Sequence, residues 1–188
     1  MSFRTVPRAL AAAVMLTSAL AGGQAYAAPS PAADRATALA PRVVTYDAGA
    51  SAEFRTAVDR GAAIWNESVD GVELRPVATG QRANIRVIAD NGWPRAQTTS
   101  LGNGTVWIGR QAVNEGYNTV RISSHEFGHI LGLPDRKPGP CSSLMSGSSA
   151  GVGCTNPFPD ATEKSRVERN FGAALAGAGA SREASYVG

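Results

Sequence analysis

Both histidines of this 188-residue sequence lie within one eleven-residue stretch, His125-Glu126-Phe127-Gly128-His129-Ile130-Leu131-Gly132-Leu133-Pro134-Asp135. Residues four apart share one face of a helix, so both imidazoles can bind a single Zn²⁺ at about 2.0–2.1 Å. Glu126 follows the first of them directly. That places its carboxylate beside the metal without binding it, where it can take a proton from a water there. Two ligands are too few for a catalytic zinc, which usually has three and a water. Gly132 permits the left-handed turn that ends a helix, and Pro134 forbids its continuation. The chain then doubles back, and Asp135, six residues after His129, can supply a carboxylate oxygen as third ligand.

The same His-Glu-x-x-His spacing arises in unrelated helices, as a histidine pair satisfied in a core or facing water. Three facts argue for metal here. Gly132 and Asp135 stand where a third-ligand turn needs them, the motif uses both histidines, and the N-terminus reads as an export signal.

Several elements must hold this stretch in place. Val43–Asp47 reads as a first strand, and Ser51 as the cap of a helix with Phe54, Val58, Ala62 and Trp65 on one face. Residues 72–77 and 84–88 alternate apolar with polar, as half-buried strands do. Residues 89–104 carry Asn-Gly twice and Trp-Pro once and read as irregular loop. Thr105–Gly109 is another strand, and a second helix runs from Asn118 to Gly132. A long loop, 134–159, precedes a helix opened by Asp160 and Glu163, a capping-box pair, with Val167, Phe171 and Leu175 inward. The fold class is therefore α+β, with a mixed sheet beside its helices.

The formal net charge is +3, which invites a nucleic-acid reading. Its location withdraws the invitation. Residues 1–42 hold four arginines against Asp34, and residues 43–188 balance 14 basic with 14 acidic side chains. The excess belongs to an N-terminal address. Arg4 and Arg8 precede an apolar run, Ala9–Ala21, and Ala25-Tyr26-Ala27 suits a signal peptidase. The expected organisation is a signal peptide over 1–27, a short propeptide or linker over 28–42, the working domain over 43–176 and a flexible tail over 177–188. No nucleic-acid partner and no membrane contact after signal cleavage are expected, and the protein is read as secreted and monomeric. Outside the cell, Cys141 and Cys154 form a disulfide more readily than they stay free. Residues 28–42 hold neither Cys nor His, which rules out a thiol latch from that segment, although Asp34 can in principle approach the metal.

The extended motif resembles the zinc signature of metzincin metallopeptidases, in the variant with Asp as third ligand. Together with the small size, secretion signal and single cysteine pair, it resembles the snapalysin family of small secreted neutral zinc proteases of streptomycetes. The resemblance implies a metzincin-like zincin fold with an active-site helix, a mixed twisted sheet and a C-terminal helix. It implies one catalytic zinc on His125, His129 and Asp135, Glu126 as general base, and Ser143-Leu144-Met145-Ser146-Gly147 as a Met-turn with Met145 beneath the ligands. The implied reaction is hydrolysis of internal peptide bonds in extended polypeptides, with an aromatic residue favoured just after the cut. The substrate would add as a further strand beside Thr105–Gly109.

The resemblance also allows calcium, for which Asp90-Asn91-Gly92 is a conceivable turn, and a zymogen. One position departs from the pattern. Lys137 stands where a tyrosine near the metal is common, either substituting for it electrostatically or pointing to solvent. That gap keeps a second reading open, a zinc-stabilised binding or inhibitory module without turnover. Hydrolysis of a non-peptide amide is a third.

Overall fold

The computed structural model describes residues 40–183, with side chains through Gly172. The expected signal peptide and all but the last residues of the 28–42 linker lie outside the described residues, as do residues 184–188 of the tail.

Five strands form one sheet: β1 (Arg42–Ala50), β2 (Val72–Pro76), β3 (Ile85–Asp90), β4 (Arg95–Ser100) and β5 (Asn103–Gly109), in the order β2-β1-β3-β5-β4. β1 runs parallel to β2 and β3, and β3 parallel to β5; β4 alone is antiparallel, paired to β5. The helices are α1 (Arg55–Asn66), α2 (Arg110–Asn114), α3 (Thr119–Ile130) and α4 (Ala161–Glu183). This is the expected α+β arrangement, a mixed sheet with the motif-bearing helix and a C-terminal helix. No described helix is long and apolar enough to cross a membrane.

Strand side chains alternate between faces, and the sequence uses that period to make one face apolar. Val44, Tyr46 and Ala48 of β1, Ile85 and Val87 of β3, and Val106 and Ile108 of β5 are buried against the helices. Thr45, Asp47, Arg86 and Thr105 alternate with them on the other face and are exposed or half-buried. The helices supply Val58, Ala62 and Trp65 from α1, Phe127 and Ile130 from α3, and Val167 and Phe171 from α4. The Trp65 indole donates 2.8 Å to the Ser124 carbonyl, so α1 fixes the height of α3 as well as packing on it.

Four expectations need correction. The stretch read as loop, residues 89–104, contains β4. Its side chains are almost all exposed, so no apolar alternation marks it; backbone pairing to β5 alone makes it a strand. Second, Thr105–Gly109 is not the strand open to a substrate. β5 lies between β3 and β4, with its backbone groups taken on both sides, and β4 is the edge. Third, Ser51 does not cap a helix: its hydroxyl donates 2.7 Å back to the Ala48 carbonyl, and a short 3-10 turn, Ala52–Phe54, leads into α1. Fourth, the loops hold a short α2 and a 3-10 segment, Leu144–Ala150. At the other end, α4 spans Ala161–Glu183, across the boundary expected between a domain ending at 176 and a tail beginning at 177.

Candidate metal centre and active site

Helix α3 starts where its cap allows. Asn118, in extended conformation, accepts the Arg121 amide on its Oδ1 at 2.9 Å. The helix ends in a Schellman motif: the Leu133 amide bonds the Gly128 carbonyl and the Gly132 amide bonds the His129 carbonyl, each at 3.0 Å. Gly132 sits at φ +90°, the left-handed conformation this motif requires. The reversal turns the chain back over the helix face that carries the histidines. The Arg136 amide then bonds the Met145 carbonyl at 2.8 Å, which docks the returning strand on the 3-10 segment.

The turn brings the three candidate ligands together. Asp135 Oδ1 lies 3.2 Å from His125 Nε2 and 3.4 Å from His129 Nε2. Each ring is oriented by its other nitrogen: His125 Nδ1 donates to the Leu144 carbonyl at 2.9 Å, His129 Nδ1 to the Leu133 carbonyl at 2.8 Å. A carbonyl only accepts, so both Nδ1 atoms carry hydrogen, and each ring when neutral presents a lone pair at Nε2. Two imidazole lone pairs and a carboxylate oxygen thus face one another at little over 3 Å. Such a cluster is repulsive until a cation or a proton lies among them, and an N₂O donor set suits zinc.

Glu126 points into the same place. It is 4% exposed, and its Oε2 has no hydrogen-bond partner among the described residues. Burial pushes its carboxyl up to about 7, against an opposing pull from His125. Burial also lowers His129, with His125 adding to the effect. The Asp135 carboxyl is held well below the usual carboxylate range, first by His125 and also by Lys137. Lys137 Nζ lies 3.0 Å from Asp135 Oδ2. It therefore meets the candidate ligand directly, on the oxygen that the histidines leave free.

These groups line a cavity of about 530 Å³. Arg95, Ala96 and Thr98 of the edge strand β4 form one side of it, and Trp93 and Tyr117 another. The two aromatic rings meet edge to face, 5.7 Å between centroids. Met145 is buried against α3, beneath the ligand-bearing turn at Gly128. Cys141 and Cys154 form a disulfide that staples the loop between Asp135 and α4.

The Asp90-Asn91-Gly92 turn gives calcium no support. One Asp90 oxygen accepts the Gly92 amide and the other pairs with Arg95, while Asn91 Oδ1 accepts from Arg110. Two residues that hold the site escaped the motif. Arg121, one turn before His125 and 5% exposed, donates to the Ser143 and Asn156 carbonyls and the Ser146 hydroxyl. Glu163, 4% exposed, accepts from Ser143 Oγ and from the Leu144 and Met145 amides. Its capping box with Asp160 also forms, so one carboxylate serves a helix end and the turn beneath the site. The capping-box spacing of Asp160 and Glu163 is the sequence trace of this.

Residues 41–174 match the Streptomyces extracellular neutral proteinase (M7) family. The chain belongs to that family. Among its relatives, an extracellular small neutral protease of Streptomyces coelicolor is 43% identical over 140 residues, 73% of this chain and 63% of that protein. The protein of the same description from Streptomyces caespitosus is 43% identical over 126 residues, 66% of this chain and 92% of the other. The match thus spans less than two thirds of the longer relative and nearly all of the shorter one. Among solved structures, archaemetzincin from Methanopyrus kandleri is similar with a TM-score of 0.45 at 13% identity, over 71% of this chain and 96% of that one. The M7 match contains the whole constellation described above, from β1 to the described side chains of α4.

Proposed function

We propose that this M7 chain is a secreted zinc-dependent endopeptidase that cleaves internal peptide bonds of extended polypeptides. The observation that carries the reading is the convergence of His125 Nε2, His129 Nε2 and Asp135 Oδ1 beside the buried Glu126 Oε2, which has no hydrogen-bond partner among the described residues. His125, His129 and Asp135 would hold the zinc. When bound, zinc supplies a Lewis acid that polarises a carbonyl and acidifies water.

The protein's own groups do the rest. Glu126, buried and pushed up to about 7, is suited to accept a proton from the attacking water and return it to the departing amine. A binding module would have no use for a buried carboxylate without a partner beside the ligands, so Glu126 favours the enzyme over a fold that has lost turnover. The exposed edge of β4 offers main-chain hydrogen bonds to an extended substrate, which would lie along the cavity as a sixth strand. The Trp93–Tyr117 pair supplies an aromatic wall consistent with preference for an aromatic residue just after the cut. Export is supported by the relatives described as extracellular and by the Arg4–Ala27 signal pattern. Processing of a short propeptide and a monomeric mature form complete the reading.

Casein hydrolysis by the purified protein is the test, with a chelator and Glu126→Ala as controls and the cut sites mapped by mass spectrometry. Cleavage lost in both controls supports the reading. Cleavage that survives Glu126→Ala removes the general base, and a zinc-loaded protein that cleaves neither casein nor a small amide is a binding module.

A further inference from the structure

The two histidines of the motif are oriented by different kinds of peptide. His125 Nδ1 donates to the carbonyl of Leu144, whose peptide continues into Met145. The N–H of that same peptide, the Met145 amide, donates 3.0 Å to Glu163 Oε1. One peptide unit therefore joins a buried carboxylate on α4 to a buried imidazole on α3. His129 Nδ1 donates instead to the carbonyl of Leu133, whose peptide continues into Pro134 and has no N–H at all.

Hydrogen bonds in series polarise one another, more so where water is excluded. A carboxylate on the N–H end of a peptide pushes electron density onto its carbonyl oxygen. That strengthens the bond the carbonyl accepts from Nδ1–H and makes the opposite ring nitrogen a better donor. Metal-bound histidines are commonly tuned by a carboxylate or a carbonyl directly on the second nitrogen. Here the carboxylate is one peptide further away. The surroundings keep it in place: Ser143 Oγ at 2.6 Å, the Leu144 amide at 3.1 Å and the Asp160 amide at 2.7 Å all donate to Glu163. Arg121 donates to the Ser143 carbonyl at 2.9 Å and, at 3.4 Å, to the Leu144 carbonyl that His125 also uses.

We propose that Glu163 is a positioning residue for the metal centre, acting on His125 through the Leu144–Met145 peptide and leaving His129 untouched. The inference rests on His125 and His129 being the zinc ligands. The two candidate ligands are then unequal by construction, with His125 the stronger donor.

Glu163→Gln removes the charge at nearly constant shape, and Glu163→Asp keeps the charge but withdraws it by one methylene. The probes are Zn²⁺ competed against a chromophoric chelator and the Nδ1–H proton resonances of the metal-free protein. Glu163→Gln should weaken Zn²⁺ binding by about 10-fold, within the range for outer groups on metal-bound histidines. It should also shift the His125 Nδ1–H resonance upfield and leave that of His129 in place. Glu163→Asp should fall between it and the wild type in both measurements.

A folded Glu163→Gln with wild-type Zn²⁺ affinity and an unmoved His125 resonance overturns the proposal. Equal shifts at both histidines also overturn it, since a general loosening of the fold does not choose between them. If Glu163→Gln does not fold, Glu163→Asp decides: an unmoved His125 resonance with the Met145 amide resonance changed shows that the peptide transmits nothing. Should the wild type bind no Zn²⁺, the metal reading fails on its own, and the metal-free resonances still decide the relay.

Discussion

Gly128 and Met145 meet too closely for a side chain to fit between them. A Cβ on Gly128 would lie 2.7 Å from Met145 Sδ and 3.3 Å from Trp65 Cζ2. The helix with both histidines is thus lowered onto the 3-10 segment at the one motif position between Glu126 and His129 that has no side chain. Gly128→Ala sets two effects against each other. Alanine gains about 0.8–1.0 kcal/mol over glycine in a helix interior, whereas overpacking a well-filled core costs about 1–3 kcal/mol. Met145 and Trp65 are 1% and 0% exposed, so neither has solvent to move into, and overpacking should win. The expected result is a lower Tm together with weaker Zn²⁺ binding, read by thermal unfolding and metal titration. A rise in Tm would show that the contact is softer than its geometry.

Glu126→Gln keeps the shape of the side chain and removes its basicity. Peptide hydrolysis should fall by about 10²–10⁴-fold, the usual contribution of a general base, while bound zinc stays stoichiometric. Kinetics on a peptide substrate and metal analysis of the same preparation check this together. Loss of zinc along with activity would make Glu126 a ligand rather than a base.

The motif and its helix were legible because their signals are local. Spacing, an Asn cap, a glycine at the end and a proline beyond it are all read within seventeen residues, and α3 obeys them. Asp135 followed from the same reversal. What stayed hidden depends on partners distant in sequence. β4 has an almost wholly exposed pattern and exists through its ladder with β5, so its own residues carry no period to find. Without β4, the open edge of the sheet falls one strand inward, on β5. Glu163 is visible as half of a capping box, but its bonds to the Leu144 and Met145 amides cross 19 and 18 residues of chain. In the sequence Lys137 is either engaged or solvated, and only the turn's path puts its ammonium on Asp135.

Lys137→Ala tests that contact. With Nζ held on Oδ2, Asp135 offers the histidine side only its Oδ1. The pair is partly exposed, so its loss should cost little stability, about 1 kcal/mol or less. Freed from it, the carboxylate can rotate, and Zn²⁺ affinity should drop by about 10-fold. Chelator competition reads the affinity and urea unfolding the stability. Wild-type affinity in the variant would make the contact a surface ion pair without a role at the site.

Removing the disulfide should be felt as stability. Cys141 and Cys154 are 13 residues apart, and closing a loop of that size is worth about 3 kcal/mol in the chain-entropy treatment. The loop also carries the Leu144 carbonyl that orients His125, so Cys141→Ser with Cys154→Ser should loosen the site as well. Unfolding midpoints with and without saturating zinc separate the two effects. A larger loss in the zinc-loaded protein is expected, because a loosened site binds the metal less tightly and so gains less stability from it. Equal losses in both states would mean that the staple and the site are independent.

Tyr46 ties the sheet to α1 and should govern stability in alkali. Its ring is buried, meeting Phe127 edge to face, and its hydroxyl donates 2.9 Å to Asp59 Oδ1. Burial, and then the Asp59 carboxylate, raise the phenol well above its ordinary value near 10. The unfolded chain gives up this proton first, so above pH about 10 the native state binds more protons than the unfolded one. Stability from this group is complete below that pH and declines as the pH rises further, by at most about 1.4 kcal/mol per pH unit. Tyr46→Phe cannot ionise. It should be less stable than the wild type at pH 8, where the hydrogen bond to Asp59 is lost, and that disadvantage should shrink from pH 10 upward. Urea unfolding of both proteins between pH 8 and 11 measures the gap, and a gap that stays constant across that range would show that the Tyr46 hydroxyl titrates alike in the folded and unfolded chains.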